Sequence, residues 1–200
     1  MTRRIVYSAA LAAVVAATAM TIASVVSTNW ITYSVTTKSG HTVYDNIGLH
    51  QRCTSAGTSA SSSCVPFPSD DRCAKNGPIC NIWRTTGFLM NLAVVLQCAV
   101  GVGIIISLAG GRVRRTDGWR ILSVPLAIDA LLQFCSVTFV QYLHDHDDMF
   151  IVPGYRLSWA WYLCIASACL TALVPVGMTI SAYVLPDEDG YELLPDPAPV

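Results

Sequence analysis

The chain has 200 residues, of which 53% are hydrophobic and only 12% are charged, and its formal net charge is -1. Such a chain lacks the clustered excess of Lys and Arg that binds nucleic-acid phosphates, so no nucleic-acid partner is expected. The apolar residues form long blocks instead of the short periodic runs of a soluble domain, which indicates a membrane protein.

Four apolar blocks are long enough to cross a hydrocarbon core about 30 Å thick, which takes about 20 helical residues. They cover about residues 5–27, 86–110, 119–142 and 159–185. We therefore predict one four-span membrane domain over residues 1–185, with outer loops at 28–85 and 143–158.

The first block has a second interpretation as a signal peptide, because Arg3 and Arg4 precede an Ala-rich apolar run. A retained helix is favoured, since the run is longer than the usual signal core and ends at Asn29 and Trp30 without a small-x-small cleavage site.

Arginine residues predict the orientation of the spans. Arg3 and Arg4 precede the first block, and four more arginines crowd the link between the second and third blocks: Arg112, Arg114, Arg115 and Arg120. Because Lys and Arg are enriched in cytoplasmic loops, we place both termini in the cytoplasm and the two long connections outside. The predicted location is the plasma membrane, with the endosomal system as the alternative.

The first outer loop begins with a predicted β-hairpin. Residues 30–36 are rich in aromatic and β-branched side chains, residues 38–40 supply a turn with a glycine, and residues 41–49 can return antiparallel. An isolated hairpin is marginally stable, so further strands, a cross-link or packing on the helices should stabilise it.

Four cysteines of this loop, Cys53, Cys64, Cys73 and Cys80, can form disulfides in an oxidising compartment, with three connectivities open. Zinc binding is the weaker alternative, because no C-x-x-C pair occurs among them. The other four cysteines lie in the spans and are expected to act as small apolar residues.

A set of motif residues resembles the claudin-like tetraspan superfamily, which includes claudins, peripheral myelin protein and the transmembrane regulators of glutamate receptors. The matching positions are Trp30, Gly48, Leu49, His50, Cys53, Cys64 and Arg84. The resemblance implies an all-α transmembrane four-helix bundle with a small disulfide-braced antiparallel β-sheet in the first extracellular loop. It also implies a Cys53–Cys64 bridge, which leaves Cys73 and Cys80 as the second pair.

Two departures from the family pattern stand out. His50 occupies a position where the family usually has Trp, and Cys73 and Cys80 belong to an additional insert. The sequence is more similar to a divergent branch, such as the fungal cortical tetraspan proteins, than to a vertebrate junction claudin. Sealing between cells is therefore the least transferable of the family's functions.

Asp129 is the one acidic residue inside a predicted span, where a charge costs about 2.5 to 3.5 kcal/mol at the helix centre. Gln97 lies at a similar depth on the second span, and Gln133 lies one turn from Asp129. Thr18 and Thr171 lie near the middles of the other two spans. We predict a buried hydrogen-bonded cluster with a structural role; an ion or proton path and a contact with a partner helix are the alternatives.

The second outer loop contains His144, His146 and Asp148, which have the chemistry of weak metal ligands. A solvated acidic loop is the preferred interpretation, since no further ligand is anchored nearby. We predict neither a metal nor a cofactor.

Residues 186–200 are acidic and proline-bearing, so they are predicted to form a disordered cytoplasmic tail. Two sorting-type patterns overlap there: Tyr191 precedes an apolar residue at Leu194, and Asp189 precedes Leu193 and Leu194. Cytoplasmic sorting adaptors are therefore predicted partners.

An enzyme is not expected, because no nucleophile is matched to a base and neither an HExxH motif nor a phosphate loop occurs. We predict a non-catalytic integral membrane scaffold or adhesion protein that acts by lateral and extracellular protein contacts. Its predicted partners are the lipid bilayer, other membrane proteins and further copies of itself. The alternative function is an ion channel, or an auxiliary subunit that regulates a channel or receptor.

Overall fold

A computed structural model describes residues 2–36, 42–55, 63–75, 77–110, 112–147, 150 and 154–184. Its elements in chain order are α1 (Thr2–Val26), β1 (Ile31–Thr36), β2 (Thr42–Ile47), β3 (Gln51–Ser55), β4 (Ser63–Pro66), α2 (Asp70–Lys75), α3 (Gly77–Ala109), α4 (Arg112–His146), β5 (Tyr155–Leu157) and α5 (Trp159–Val184).

The four long helices form a bundle in which α1 and α4 each pack against both α3 and α5. Four segments are long and apolar enough to cross a membrane: Arg4–Val26, Gly77–Ala109, Gly118–His146 and Trp159–Val184. The predicted four-helix bundle is therefore confirmed. We call the end of the bundle that carries the β-sheet the sheet end, and the end at Arg4, Gly110 and Val184 the link end.

Two helices, α3 and α4, extend well beyond the predicted blocks. The third helix begins at Gly77, well before residue 86, and Pro78 fits its first turn because proline lacks only an N–H that would be unpaired there. The fourth helix begins at Arg112, so the arginine-rich link is helical, and it continues to His146 inside the predicted second loop. The apolar blocks show only where a helix could cross a membrane. The helices are longer because their backbone hydrogen bonds continue into the adjoining polar sequence.

The bundle has an apolar exterior and a partly polar interior. Large apolar side chains such as Phe88, Leu131 and Leu173 are each about two-thirds exposed, at 65%, 64% and 64%. Fully buried positions include polar side chains from every long helix: Thr21, Ser24, Thr86, Gln97, Asp129, Gln133, Ser136, Ser167 and Thr171. This distribution is the reverse of that in a water-soluble bundle.

The β-sheet has five strands in the order β4-β3-β2-β1-β5, and all neighbouring strands are antiparallel. The predicted hairpin is present as β1 and β2, paired from Ile31 opposite Ile47 to Thr36 opposite Thr42. The fifth strand comes from the second connection, which we predicted only as a loop, and it pairs with β1 along Tyr155–Leu157.

The sheet is continuous with the bundle through a shared apolar core. Ile31 pairs with both Ile47 and Leu157, so all three side chains point to one face of the sheet. Ile31 and Ile47 are fully buried in a cluster with Trp30, Leu49, Trp83, Val140 and Ala160, and Leu157 packs against it. Two backbone bonds continue the attachment, from Ser158 N to Trp30 O at 2.9 Å and from Ala160 N to Asn29 O at 3.3 Å.

Two disulfides brace the sheet end. The first joins Cys53 on β3 to Cys64, the residue opposite it on β4. The second joins Cys73 on α2 to Cys80 in the first turns of α3. These are the two pairs that the family resemblance implies.

Removing the Cys53–Cys64 bridge should loosen the edge strand. The double variant Cys53→Ala/Cys64→Ala creates no new free thiol and releases a loop closed at a sequence separation of 11, so we expect a loss of about 3 kcal/mol in the free energy of unfolding. Hydrogen exchange by mass spectrometry should speed up in β3 and β4 while α1 and α5 keep their protection.

The matched control is Cys98→Ala, which removes a free exposed thiol of α3 and should leave exchange in the sheet unchanged. Unchanged exchange in β4 of the double variant would contradict the bracing role.

Candidate functional site

Two buried tryptophans attach the sheet to the bundle. Trp30 is 0% exposed, and its Nε1 donates a hydrogen bond of 2.7 Å to the Ser24 carbonyl in the last turn of α1. Trp83 is 1% exposed, and its Nε1 donates a bond of 3.2 Å to the Leu49 carbonyl in the turn between β2 and β3. The indole groups therefore bond backbone at the junction as well as filling its core.

Gly48 allows that turn to touch the end of α1. A Cβ atom at position 48 would lie 2.7 Å from the Ser27 carbonyl oxygen and 2.7 Å from the Thr28 Cα, both backbone atoms that cannot rotate away. The turn is closed by a bond of 2.8 Å from Gly48 N to the Gln51 carbonyl. The glycine of the family motif is thus required by close backbone approach.

His50 lies over α3. A Cβ atom on Gly87 would lie 3.2 Å from the His50 Cε1, and the Asn91 Nδ2 is 3.4 Å from the His50 Nε2. The His50 carbonyl accepts a bond of 3.0 Å from Phe67 N. Position 50, where the claudin-like resemblance implies an aromatic side chain, is occupied by an exposed histidine with a polar contact on the helix.

Arg84 connects α3 to the short helix α2. Its Nη2 donates to the Asp70 Oδ1 at 2.9 Å, and both side chains are exposed. An exposed ion pair contributes little stability by itself. The pair and the Cys73–Cys80 bridge together attach α2 to α3.

A charged network that we did not predict lies within the sheet. The buried Asp45 carboxylate accepts bonds from Arg52 Nε at 2.8 Å and Arg52 Nη2 at 2.5 Å. The Tyr155 hydroxyl donates to the same carboxylate at 3.0 Å, and its ring lies 4.7 Å from that of Tyr33. The network therefore connects β3, β2, β1 and β5.

The network changes the ionisation of its members. The hydrogen bonds to the Asp45 carboxylate raise the pKa of Arg52, which keeps the guanidinium charged. Burial raises the pKa of Tyr155, and the hydrogen bond to Asp45 adds to the effect. A bidentate guanidinium–carboxylate pair of this kind has a fixed geometry, so it orients β2 and β3 relative to each other as well as linking them.

Four of the predicted intramembrane polar residues, Gln97, Asp129, Gln133 and Thr171, form a group with Thr21 and Ser167, which we call the polar cluster. Its members come from all four long helices and are at most 1% exposed: Thr21, Gln97, Asp129, Gln133, Ser167 and Thr171. Within α4, the Gln133 Nε2 donates to the Asp129 Oδ2 at 2.9 Å. Between helices, the Gln97 Nε2 donates to the Thr171 Oγ1 at 3.4 Å.

The first helix contributes Thr21 to the polar cluster. Its hydroxyl lies 2.7 Å from the Ser167 Oγ and donates to the Gln133 Oε1 at 3.5 Å. Thr18, which we had placed near the cluster, bonds instead to the Val14 carbonyl of its own helix at 2.7 Å. The residue of α1 that joins the polar cluster is therefore Thr21, which lies about one helical turn after Thr18.

Two acceptor atoms of the polar cluster lack a partner among the described residues. They are the Asp129 Oδ1 and the Gln97 Oε1. The side chains that carry them are neighbours across the α3–α4 contact. Buried acceptors are usually satisfied, so this pair needs an explanation.

The weak metal candidates do not converge in the part of the chain that the structure describes. The His144 Nδ1 lies 3.0 Å from the Asp145 Oδ1, and the His146 Nδ1 lies 3.1 Å from the Tyr142 carbonyl. Asp148 lies outside the described residues, within which no group of three or more His, Cys, Asp or Glu side chains could hold a metal ion.

The predicted sorting residues Asp189, Tyr191, Leu193 and Leu194 also lie outside the described residues.

No protein-family model matches the chain, and a search of curated proteins finds no significant relative. The claudin-like resemblance accordingly remains a prediction from the motif residues.

Adding a methyl group at Gly48 should destabilise the junction. We expect Gly48→Ala to lower the free energy of unfolding by about 1 to 3 kcal/mol, because the new Cβ overlaps backbone of the α1 end. Gly101→Ala is the control, since a Cβ there would meet no atom of a neighbouring segment within 4 Å in the described part of the chain and should be tolerated. Thermal unfolding in one detergent compares the two, and equal stabilities would contradict the close approach.

Removing the Tyr155 hydroxyl should weaken the network and change how the stability of the fold depends on alkaline pH. Tyr155→Phe should cost about 1 kcal/mol at neutral pH. Because the folded-state pKa of Tyr155 is raised from 10.0, its contribution is complete below about pH 10 and is lost as the pH rises through the folded value. Stability of the wild type should therefore fall towards that of the variant in strongly alkaline solution.

The control for this experiment is Tyr44→Phe, which alters an exposed tyrosine elsewhere on the sheet. A constant difference between wild type and Tyr155→Phe across the alkaline range would contradict the linkage.

Proposed function

We propose that the chain is a multi-pass integral membrane protein without catalytic activity, which organises neighbouring membrane proteins through its outer sheet and the lateral faces of its helices. The apolar exterior of the bundle supports the membrane location, because the free energy of placing these side chains in lipid is favourable and their exposure to water is not. The polar interior is also typical of bundles held together by side-chain bonds in lipid.

The proposed orientation places the sheet end outside and the link end in the cytoplasm, at the plasma membrane or in the endosomal system. Four antiparallel helices bring both ends of the described chain and the α3–α4 connection to the link end. Arg4 and Arg120 lie at that end, as the enrichment of arginine in cytoplasmic segments requires. The two disulfides lie at the sheet end, where an oxidising compartment would form them.

The observation that supports the organising role is the close attachment of the sheet to the bundle. The Trp30 and Trp83 indole bonds, the close approach at Gly48 and the shared core fix its position on the bundle. A preorganised surface loses little conformational entropy when it binds a partner.

The surface offered for contact includes the strand β4, all of whose residues are exposed. Val65 on this strand is 52% exposed, and Tyr44 on β2 is 50% exposed. An accessible edge strand can pair with a strand of another molecule. We therefore assign partner recognition to the β4 side of the sheet, with a second copy or another membrane protein as the partner and with no nucleic acid.

The alternative is an ion channel or a subunit that regulates a channel or receptor, and one observation favours it. Asp129 is an acidic side chain buried within the bundle, and neither its Oδ1 nor the Gln97 Oε1 has a partner among the described residues. A current across planar bilayers that changes with Asp129→Asn would support this alternative over the scaffold.

The orientation can be tested by labelling on intact cells. Ser34→Cys places an exposed thiol on β1, and Arg120→Cys places one near the link end. A membrane-impermeant maleimide should label the first variant on intact cells and the second only after permeabilisation. The reverse pattern would contradict the proposed orientation.

The organising role can be tested by cross-linking in intact membranes followed by mass spectrometry. The wild type should give cross-links from the sheet to neighbouring proteins, and Val65→Lys should remove most of them because it places a charge on the apolar edge. Ser34→Lys adds the same charge to an exposed position of an inner strand and should retain them. Recovery of uncross-linked monomer alone from wild-type membranes would contradict the proposal.

A further inference from the structure

The polar cluster contains one acidic group and no cationic side chain to balance it. From the helices packed around Asp129, the cluster receives Thr21 of α1, Gln97 of α3, and Ser167 and Thr171 of α5, which are neutral hydroxyl and amide groups. The titratable group that faces Asp129 is Cys164 of α5, whose thiol donates to the Met90 Sδ at 3.6 Å. An ionised Asp129 would therefore be a buried charge without a counter-ion, which is strongly unfavourable.

Hydrogen-bond geometry shows the same imbalance. The Asp129 Oδ2 is satisfied by Gln133, and the Gln97 Nε2 is satisfied by Thr171. The Asp129 Oδ1 and the Gln97 Oε1 have no partner among the described residues, and the Gln97 amide lies within hydrogen-bonding reach of the Asp129 carboxyl. Two acceptors cannot bond each other unless one of them carries a proton.

We propose that this pair is a proton-binding site: in the folded protein at neutral pH, Asp129 is a neutral carboxylic acid whose Oδ1–H donates to the Gln97 Oε1. One proton, taken up from water by the carboxylate, removes the uncompensated charge and satisfies both acceptors. The Gln133 amide fixes the other carboxyl oxygen, so the acid proton is directed across the α3–α4 contact. The site does not rest on the proposed organising role of the sheet, since it lies in the bundle interior.

A metal ion fits this site less well than a proton. Hard cations take six or more oxygen ligands when bound by protein. The polar cluster has a single carboxylate, and three of its hydroxyl or amide groups are already bonded to one another: Thr21, Gln133 and Ser167.

Infrared spectroscopy of the protein in lipid vesicles tests the protonation state directly. The wild type should show the carbonyl stretch of a protonated carboxylic acid at about pH 7, where solvated Asp and Glu side chains are ionised. The band should be absent in Asp129→Asn and should shift in Gln97→Leu, which removes the acceptor. Absence of the band from the wild type, or its persistence unchanged in Asp129→Asn, would overturn the proposal.

Stability measurements provide a second, independent test. Asp129→Asn keeps an acceptor for Gln133 and supplies an N–H for the Gln97 Oε1, so its unfolding temperature should match the wild type at neutral pH. Asp129→Leu lacks both groups and should unfold at a lower temperature. The wild type should be equally stable in sodium, potassium and choline chloride. A stabilisation by sodium or potassium that disappears in Asp129→Asn would show that a metal ion, and not a proton, occupies the site.

Discussion

The fold depends on the contact between the β2–β3 turn and the ends of two helices. Gly48 brings turn backbone against the end of α1, where a single added carbon would overlap the Ser27 carbonyl. Trp30 and Trp83 then bond the backbone on either side of this contact. Because both ends of the first outer segment are fixed there, the remaining strands and the two disulfides extend from a defined base. The sheet consequently behaves as part of the bundle.

The two halves of the molecule are stabilised by different physics. At the junction, apolar burial around Ile31, Ile47 and Leu49 dominates, as in a water-soluble core. Deeper in the bundle, side-chain bonds cross between helices at Thr21, Gln97 and Asp129 and their partners. In the proposed lipid surroundings, the exterior would gain nothing from helix association by water exclusion, so close packing and these bonds would supply the specificity of the pairing. The proposed proton on Asp129 makes such an interior compatible with low polarity.

The sequence predicts the long helices, the first hairpin and the position of Asp129 beside Gln133, because each follows from composition or from spacing along a single element. It could not predict the network of Asp45, Arg52 and Tyr155, since Tyr155 comes from a distant strand whose pairing with β1 has no local signal. The predicted spans do not include the polar ends of α3 and α4, because hydropathy marks only the apolar part of a helix. The choice of Thr21 over Thr18 depends on helix rotation within the bundle, which spacing does not determine.

The central claim is that the sheet has one fixed position on the helix bundle. A distance measurement between spin labels tests this claim most directly. One label would be attached at Tyr44→Cys on β2 and the other at Arg120→Cys on α4, both exposed positions, with the four free cysteines replaced by alanine. Pulsed electron paramagnetic resonance in lipid nanodiscs should give a single narrow distribution of distances between the two labels. The distribution should broaden in the Gly48→Val variant, which displaces the turn. A broad distribution for the parent protein would contradict a sheet fixed on the bundle.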